Sequence, residues 1–184
     1  MILKDSDYEI VSMKEAGIDL TIVEDGETFE ENALIKAKAV SAASGAIAMA
    51  DDSGLEIDCL GKAPGVHSAR FMGEHTSYDV KNAAILEKLS SVPDEERTAR
   101  FVCAIATVFP DGKQLVCRET MEGRIAREVE GKNGFGYDPI FFLPEYGCTS
   151  ASLTPEEKNR ISHRGKALRT MCALLKDRQE DERS

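Results

Sequence analysis

Two adjacent carboxylates, Asp51 and Asp52, end an apolar run and are followed by Ser53 and Gly54. In an extended segment successive side chains point to opposite sides, so only one of the pair can face a given pocket. A bare Asp-Asp-Ser-Gly stretch reads as a turn whose aspartates bond nearby backbone amides. It also reads as a magnesium site, because that ion takes one or two protein carboxylates and leaves its other positions to water and substrate phosphates. Glu31 is a second candidate ligand, and it closes Thr28-Phe-Glu-Glu31, which has the spacing of a helix capping box. Capping and metal binding compete for that one side chain.

Lys158, His163 and Arg164 form the strongest cationic cluster, of a kind that suits phosphate oxygens. On one unbroken helix His163 and Arg164 would lie about 140° and about 240° around from Lys158, so the three converge only if the helix breaks near Ser162-His-Arg-Gly165. A solvated helix face is the alternative. Gly134-Phe-Gly-Tyr-Asp-Pro139 sets two aromatics among glycines, either a tight turn with a ring in the core or a platform for stacking a base. Pro139 stands where a dinucleotide fingerprint needs its third glycine, and no Walker-type phosphate loop occurs. His67 and His75 lack the spacing of a zinc-protease pair.

The elements that must position these residues can be read in order. The capping box predicts a helix of about four turns from Thr28, ending near Gly45. Ala46–Ala50 predicts a fully buried strand ending in a loop at Asp51–Gly54, and Leu55–Leu60 alternates as a second strand. Ser77 precedes a helical stretch, Tyr78 to Leu89, with Asn82, Ile85, Leu86 and Leu89 on one side. Phe101–Phe109 is apolar on both alternating faces, which predicts a central strand, and Pro110-Asp-Gly112 turns the chain towards a return strand at Gln114–Cys117. Thr154-Pro-Glu-Glu157 starts another helix. The charged end, Lys176–Ser184, is expected to fray.

Composition bounds the partners. At 184 residues, with 42% hydrophobic and 30% charged residues, the chain suits one globular α/β domain, 1–184. A net charge of −10 would repel a nucleic-acid backbone, although Ala151–Ser184 carries eight basic residues against six acidic ones. No apolar run reaches the roughly 20 residues of a membrane span, and the N-terminal residues lack a secretory pattern, so a cytoplasmic protein is expected. Five cysteines without a C-x-x-C pair are expected to be reduced, with no disulfide and no zinc.

Taken in order, Thr28-Phe-Glu-Glu-Asn-Ala33, Ala50-Asp-Asp-Ser-Gly-Leu55, Ala63-Pro-Gly-Val-His-Ser-Ala-Arg70, Gly134-Phe-Gly-Tyr-Asp-Pro139 and Glu157-Lys-Asn-Arg-Ile-Ser-His-Arg-Gly165 resemble the inosine triphosphate pyrophosphatase family. The resemblance implies an elongated α/β fold with a long mixed sheet and flanking helices, two lobes around a substrate cleft, and a homodimer. It implies magnesium-dependent (Mg2+) hydrolysis of non-standard purine nucleoside triphosphates (ITP, dITP, XTP) to the monophosphate and pyrophosphate. By the same resemblance Glu31 and Asp52 are metal ligands, Asp52 is also the proton acceptor, and Ser53 contacts substrate. Phe135, Gly136, Tyr137 and Asp138 receive the purine, and Lys158, His163 and Arg164 bind substrate. The family's first strand and Ser/Thr-x-Asn-x-x-Lys loop have no counterpart in this sequence, and Met1–Tyr8 resembles the tail of the family's first helix. A nucleotide-binding protein with weak or no turnover, or a structural subunit, is therefore the alternative expectation.

Overall fold

The first helix begins where the capping box predicts it. In the computed structural model, which describes residues 8–183, the Thr28 hydroxyl accepts the Glu31 N–H and the Glu31 carboxylate accepts the Thr28 N–H, which starts α1 (Phe29–Ser44). Gly45 ends it at φ +65°, a conformation that suits a residue without a Cβ. The reading of Met1–Tyr8 as a helix tail lies outside the described residues except for Tyr8.

The next strand corrects the sequence reading. β1 (Ala48–Ile57) runs without interruption through Asp51–Gly54, and its neighbour in the sheet is β2 (Thr98–Val108). Ladder hydrogen bonds to that neighbour override the turn preference of Asp-Asp-Ser-Gly, as tertiary context commonly overrides strand propensity. The predicted second strand is thus the continuation of the first, and Asp58–Leu60 forms a 3-10 turn. Among the described residues β1 is the first strand in the sheet order, and Ile47 just before it and Met49 within it are exposed, so the predicted full burial does not hold there.

α2 (Tyr78–Lys88) starts at Ser77, whose hydroxyl accepts the Val80 N–H, and it buries Lys81, Asn82 and Ile85. β2 is buried continuously from Phe101 to Val108, as expected of a central strand. A tight turn, in which the Phe109 N–H reaches the Lys113 carbonyl, leads into β3 (Gln114–Ile125). β4 (Phe141–Leu143) and β5 (Cys148–Thr149) complete a five-stranded sheet in the order β1-β2-β3-β4-β5. β4 pairs antiparallel with both neighbours, with Arg124 opposite Phe142 and Phe142 opposite Thr149. α3 (Pro155–Ile161) and α4 (His163–Arg183) follow, and α4 stays helical through the segment expected to fray.

The chain divides into two compact units, each with its own core. The first comprises residues up to Asp52, Cys103–Glu119 and the chain from Arg164. In it Cys103, Ile105 and Phe109 pack with Cys117 and with Ala167, Met171 and Leu175 of α4. The second comprises Ser53–Val102 and Thr120–His163, and it buries Leu55, Ile57, Ile85, Leu89, Phe101, Tyr137, Ile140 and Phe141 together. Arg97 is buried in the second unit, where its guanidinium donates to the carbonyls of Leu89, Ile125 and Ala126. The Leu89 carbonyl, at the C-cap of α2, thus accepts from Arg97 as well as from the Val92 N–H. None of the five cysteines is joined in a disulfide.

Candidate active site

In the first unit the chemistry gathers on Asp52. Asn32 and Lys36 stand four residues apart on α1, the spacing that puts two side chains on one helix face. Asn32 Nδ2 lies 3.3 Å from Asp52 Oδ2, and Lys36 Nζ lies 3.2 Å from Asp52 Oδ1. The same ammonium lies 2.9 Å from Glu24 Oε2, so Lys36 bridges two carboxylates. The Asn32 carbonyl oxygen accepts the Gly26 N–H at 2.9 Å, which ties the loop carrying Glu24 to the helix. That approach leaves no space for a side chain, since a Cβ on Gly26 would stand 2.8 Å from Asn32 Oδ1.

Burial pushes the Asp52 carboxyl above its ordinary value, with the Lys36 charge and the Asn32 amide pulling the other way. Burial alone would lower Lys36, but the hydrogen bonds and charges of Glu24 and Asp52 outweigh it and hold the ammonium above its ordinary range. A carboxylate raised in this way is a better proton acceptor than an exposed one.

Glu31 stays in the capping box, where one carboxylate oxygen accepts the N–H groups of Glu27 (2.7 Å) and Thr28 (3.2 Å). The carboxylate that shares a cation with Asp52 is Glu24, which the sequence reading missed. Among the described residues no group of three or more His, Cys, Asp or Glu could hold a metal unaided. Magnesium needs only one or two protein carboxylates. Asp52 and Glu24, both within reach of Lys36, supply that number, with water and phosphate oxygens left to complete the shell.

Asp51 faces elsewhere, and its Oδ2 accepts from Arg164 Nε at 3.2 Å and Nη2 at 3.0 Å. The opposed directions expected of the pair are thus realised within one strand.

In the second unit, Gly134 (φ +77°) and Gly136 (φ +66°) turn the chain so that Phe135 is 65% exposed while Tyr137 is only 3% exposed. The turn reading holds with Tyr137 as the ring in the core, while the Phe135 ring lies in solvent. Tyr137 donates its hydroxyl to the Ser68 carbonyl at 2.7 Å and meets the Tyr78 ring edge-on at 5.2 Å, and burial raises its phenol above the ordinary value. Asn82 Nδ2 donates to the Gly136 carbonyl at 3.1 Å.

Asp138 is 2% exposed. Its Oδ2 accepts the Phe135 N–H at 2.8 Å and the Lys158 ammonium, and its Oδ1 accepts the Ser150 hydroxyl at 3.0 Å. Lys158 Nζ also stands 5.2 Å from the centre of the Phe135 ring. Of the four residues expected to receive a purine, the structure therefore exposes the Phe135 ring, while the side chains of Tyr137 and Asp138 are buried. Ser53 lies half-buried in β1. His163 is buried and stacks on Phe101, with centroids 5.0 Å apart and planes 18° from parallel. The helix break predicted between Ser162 and Gly165 falls at Ser162, which is extended (ψ 149°) between α3 and α4.

The sequence profile of the Ham1 family matches residues 1–174. A protein of Clostridium perfringens named dITP/XTP pyrophosphatase is 48% identical over 95% of this chain and 89% of its own length. One of the same name from Exiguobacterium sibiricum is 49% identical over 91% of this chain and 85% of its own. Among solved structures, a HAM1 protein from Coxiella burnetii superposes with a TM-score of 0.89 at 43% identity, covering 96% of this chain and 90% of that one.

Proposed function

Because the chain belongs to the Ham1 family, we propose that it is a nucleoside triphosphate pyrophosphatase acting on ITP, dITP and XTP. The products are the monophosphate and pyrophosphate, and the ion is magnesium. The observation that carries this reading is the 48–49% identity, over more than nine-tenths of the chain, to relatives named for dITP and XTP.

The residues of the first unit suit the hydrolytic step. Bound magnesium supplies Lewis-acid polarisation of phosphate oxygens, and Asp52 would hold it together with Glu31, as the resemblance implies, or with Glu24, which shares Lys36 with it. Asp52 takes the proton of the water that attacks the α-phosphorus. Lys36 keeps its charge beside both carboxylates and offers a fixed cation in a protein of net charge −10. Arg164, oriented by Asp51, is a second fixed donor for phosphate oxygens.

The residues of the second unit suit the nucleotide. The exposed Phe135 ring offers a stacking face for a purine, and Lys158, Ser53 and His163 are the further substrate contacts. Backbone donors facing a 6-oxo group would reject adenosine, whose 6-amino group leaves them unpaired. In this reading residues 1–184 act as one catalytic domain, as a cytoplasmic homodimer that binds neither nucleic acid nor membrane. Among the described residues no helix is long and apolar enough to cross a membrane.

The test is release of pyrophosphate from ITP, dITP, XTP, GTP and ATP with magnesium. The expected result is turnover of the first three well above the last two. Release of orthophosphate in place of pyrophosphate, or equal rates on all five, would reject the assignment. Light scattering after gel filtration checks the dimer.

A further inference from the structure

The resemblance placed Asp138 among the residues that receive the base, yet its surroundings leave a base little to touch. An ionised carboxylate has about four lone-pair positions. Three are filled by donors from separate segments: the Phe135 amide, the Ser150 hydroxyl and the Lys158 ammonium. The group is 2% exposed, so the fourth faces protein as well. Lys158 contrasts with it, having three N–H donors and committing one of them to Asp138.

The loop is built around this contact. A Cβ on Gly134 would stand 2.2 Å from Asp138 Oδ2 and 3.0 Å from Lys158 Nζ, so the backbone passes directly over the ion pair. Lys158 also lies over the Phe135 ring, so one ammonium links the buried carboxylate to the exposed aromatic. Asn82 also donates to the Gly136 carbonyl in the same loop.

We propose that Asp138 is a positioning residue that binds the Phe135 amide and the Lys158 ammonium into one rigid unit, leaving the remaining Lys158 donors aimed at the nucleotide. The inference rests on the nucleotide reading above for the identity of the ligand, and on the contacts alone for the clamp. Asp138 then affects every triphosphate alike, through Lys158, whereas a residue touching the purine distinguishes one base from another.

The experiment compares Asp138→Asn, Lys158→Met and the double variant on ITP and XTP, with Ser150→Ala as a control that leaves the ion pair in place. Asp138→Asn is expected to raise KM for both substrates by the same factor, on the order of tenfold, the weight of one charge-assisted hydrogen bond, with a smaller change in kcat. Asparagine keeps an oxygen for the Phe135 amide, so adding Asp138→Asn to Lys158→Met is expected to cost nothing more, and Ser150→Ala to change KM little. Unequal factors for ITP and XTP, or losses that multiply in the double variant, would overturn the proposal.

A second measurement needs no turnover. Acylation of Lys158 by a small anhydride, followed by mass spectrometry without nucleotide, is expected to be several-fold faster in Asp138→Asn than in the unaltered protein. Equal rates would overturn the clamp. If Asp138→Asn does not fold, the unaltered protein decides: Lys158 reacting as fast as the exposed Lys113 would reject it. Failure of the unaltered protein to release pyrophosphate from ITP would instead reject the proposed function and leave the acylation result standing.

Discussion

Asp51 and Asp52 are neighbours in β1 yet hold different cations: Asp51 Oδ2 lies 3.0 Å from Arg164 Nη2, and Asp52 Oδ1 lies 3.2 Å from Lys36 Nζ. The alternation of a strand sends the two carboxylates to opposite faces, and each face has its own basic partner. Only Asp52 is substantially withdrawn from water, with a side chain 14% exposed against 41% for Asp51.

That division predicts unequal losses. Asp52→Asn is expected to lower kcat on ITP by on the order of 100-fold or more, the usual weight of a positioned general base. Asp51→Asn is expected to act through Arg164, raising KM several-fold with a smaller effect on kcat. Steady-state rates at saturating magnesium decide, and a larger kcat loss at Asp51 would reverse the roles.

Glu24 and Glu31 give a second contrast. Glu24 shares Lys36 with Asp52, whereas Glu31 caps α1. Glu24→Gln is expected to raise the magnesium concentration for half-maximal rate on the order of tenfold or more, as loss of a group at a metal site does. Glu31→Gln retains a capping side chain, because glutamine also serves at that position, and is expected to leave the magnesium requirement nearly unchanged. A magnesium titration in which Glu31→Gln suffers more would make Glu31 the ligand, as the resemblance implies.

The contrast between these two glutamates shows what the sequence makes legible. Helix starts depend on a few neighbouring residues, so the capping boxes at Thr28 and Thr154 and the stop at Gly45 could be read directly. The break at Ser162 was legible only as a condition, since helical geometry requires one if Lys158, His163 and Arg164 are to act together. The continuity of β1 through Asp51–Gly54 was not, since it depends on pairing with β2, about 45 residues on, against the local turn preference. Glu24 precedes the helix in a stretch without periodicity, and nothing local indicates that it reaches Lys36. The signal that was available is Asn32 with Lys36 on one face of α1, an amide and an ammonium next to alanines that face the core. The different fates of Phe135 and Tyr137 were hidden for a similar reason, as Tyr137 finds its acceptor at Ser68, far away in sequence.

Gly134 tests the loop over the ion pair. Alanine there meets both the positive φ, which costs a non-glycine residue about 1–3 kcal/mol, and the clash with Asp138 and Lys158. Gly112 has a comparable φ of +83° with nothing within 4 Å of its would-be Cβ. Both Gly134→Ala and Gly112→Ala are expected to lower the melting temperature, but only Gly134→Ala is expected to raise KM for ITP. Similar KM values for the two variants would show that the space above Asp138 is unimportant for binding.

Asp58 sets a pH dependence of stability away from the chemistry. Its carboxylate accepts from Arg100 Nη1 at 2.8 Å and Nη2 at 2.9 Å, and from the Thr98 hydroxyl at 2.7 Å. The Arg100 bonds, followed by the Thr98 bond, hold its carboxyl below the ordinary value of 3.8. A group depressed by folding binds protons less readily in the folded chain than in the unfolded one. Its stabilisation is therefore complete above the unfolded value and is lost as pH falls through the folded value. The Asp58 side chain is 35% exposed, so water and salt screen the pair and its contribution is small. Asp58→Asn is expected to melt slightly below the unaltered protein near neutral pH, with the gap closing as pH falls below about 4 and shrinking in concentrated salt. Melting curves recorded from neutral pH down to acid are the check. A gap that stays constant down to the lowest pH at which both chains fold would mean that Asp58 stabilises the fold by packing or neutral hydrogen bonds, with no contribution from its charge.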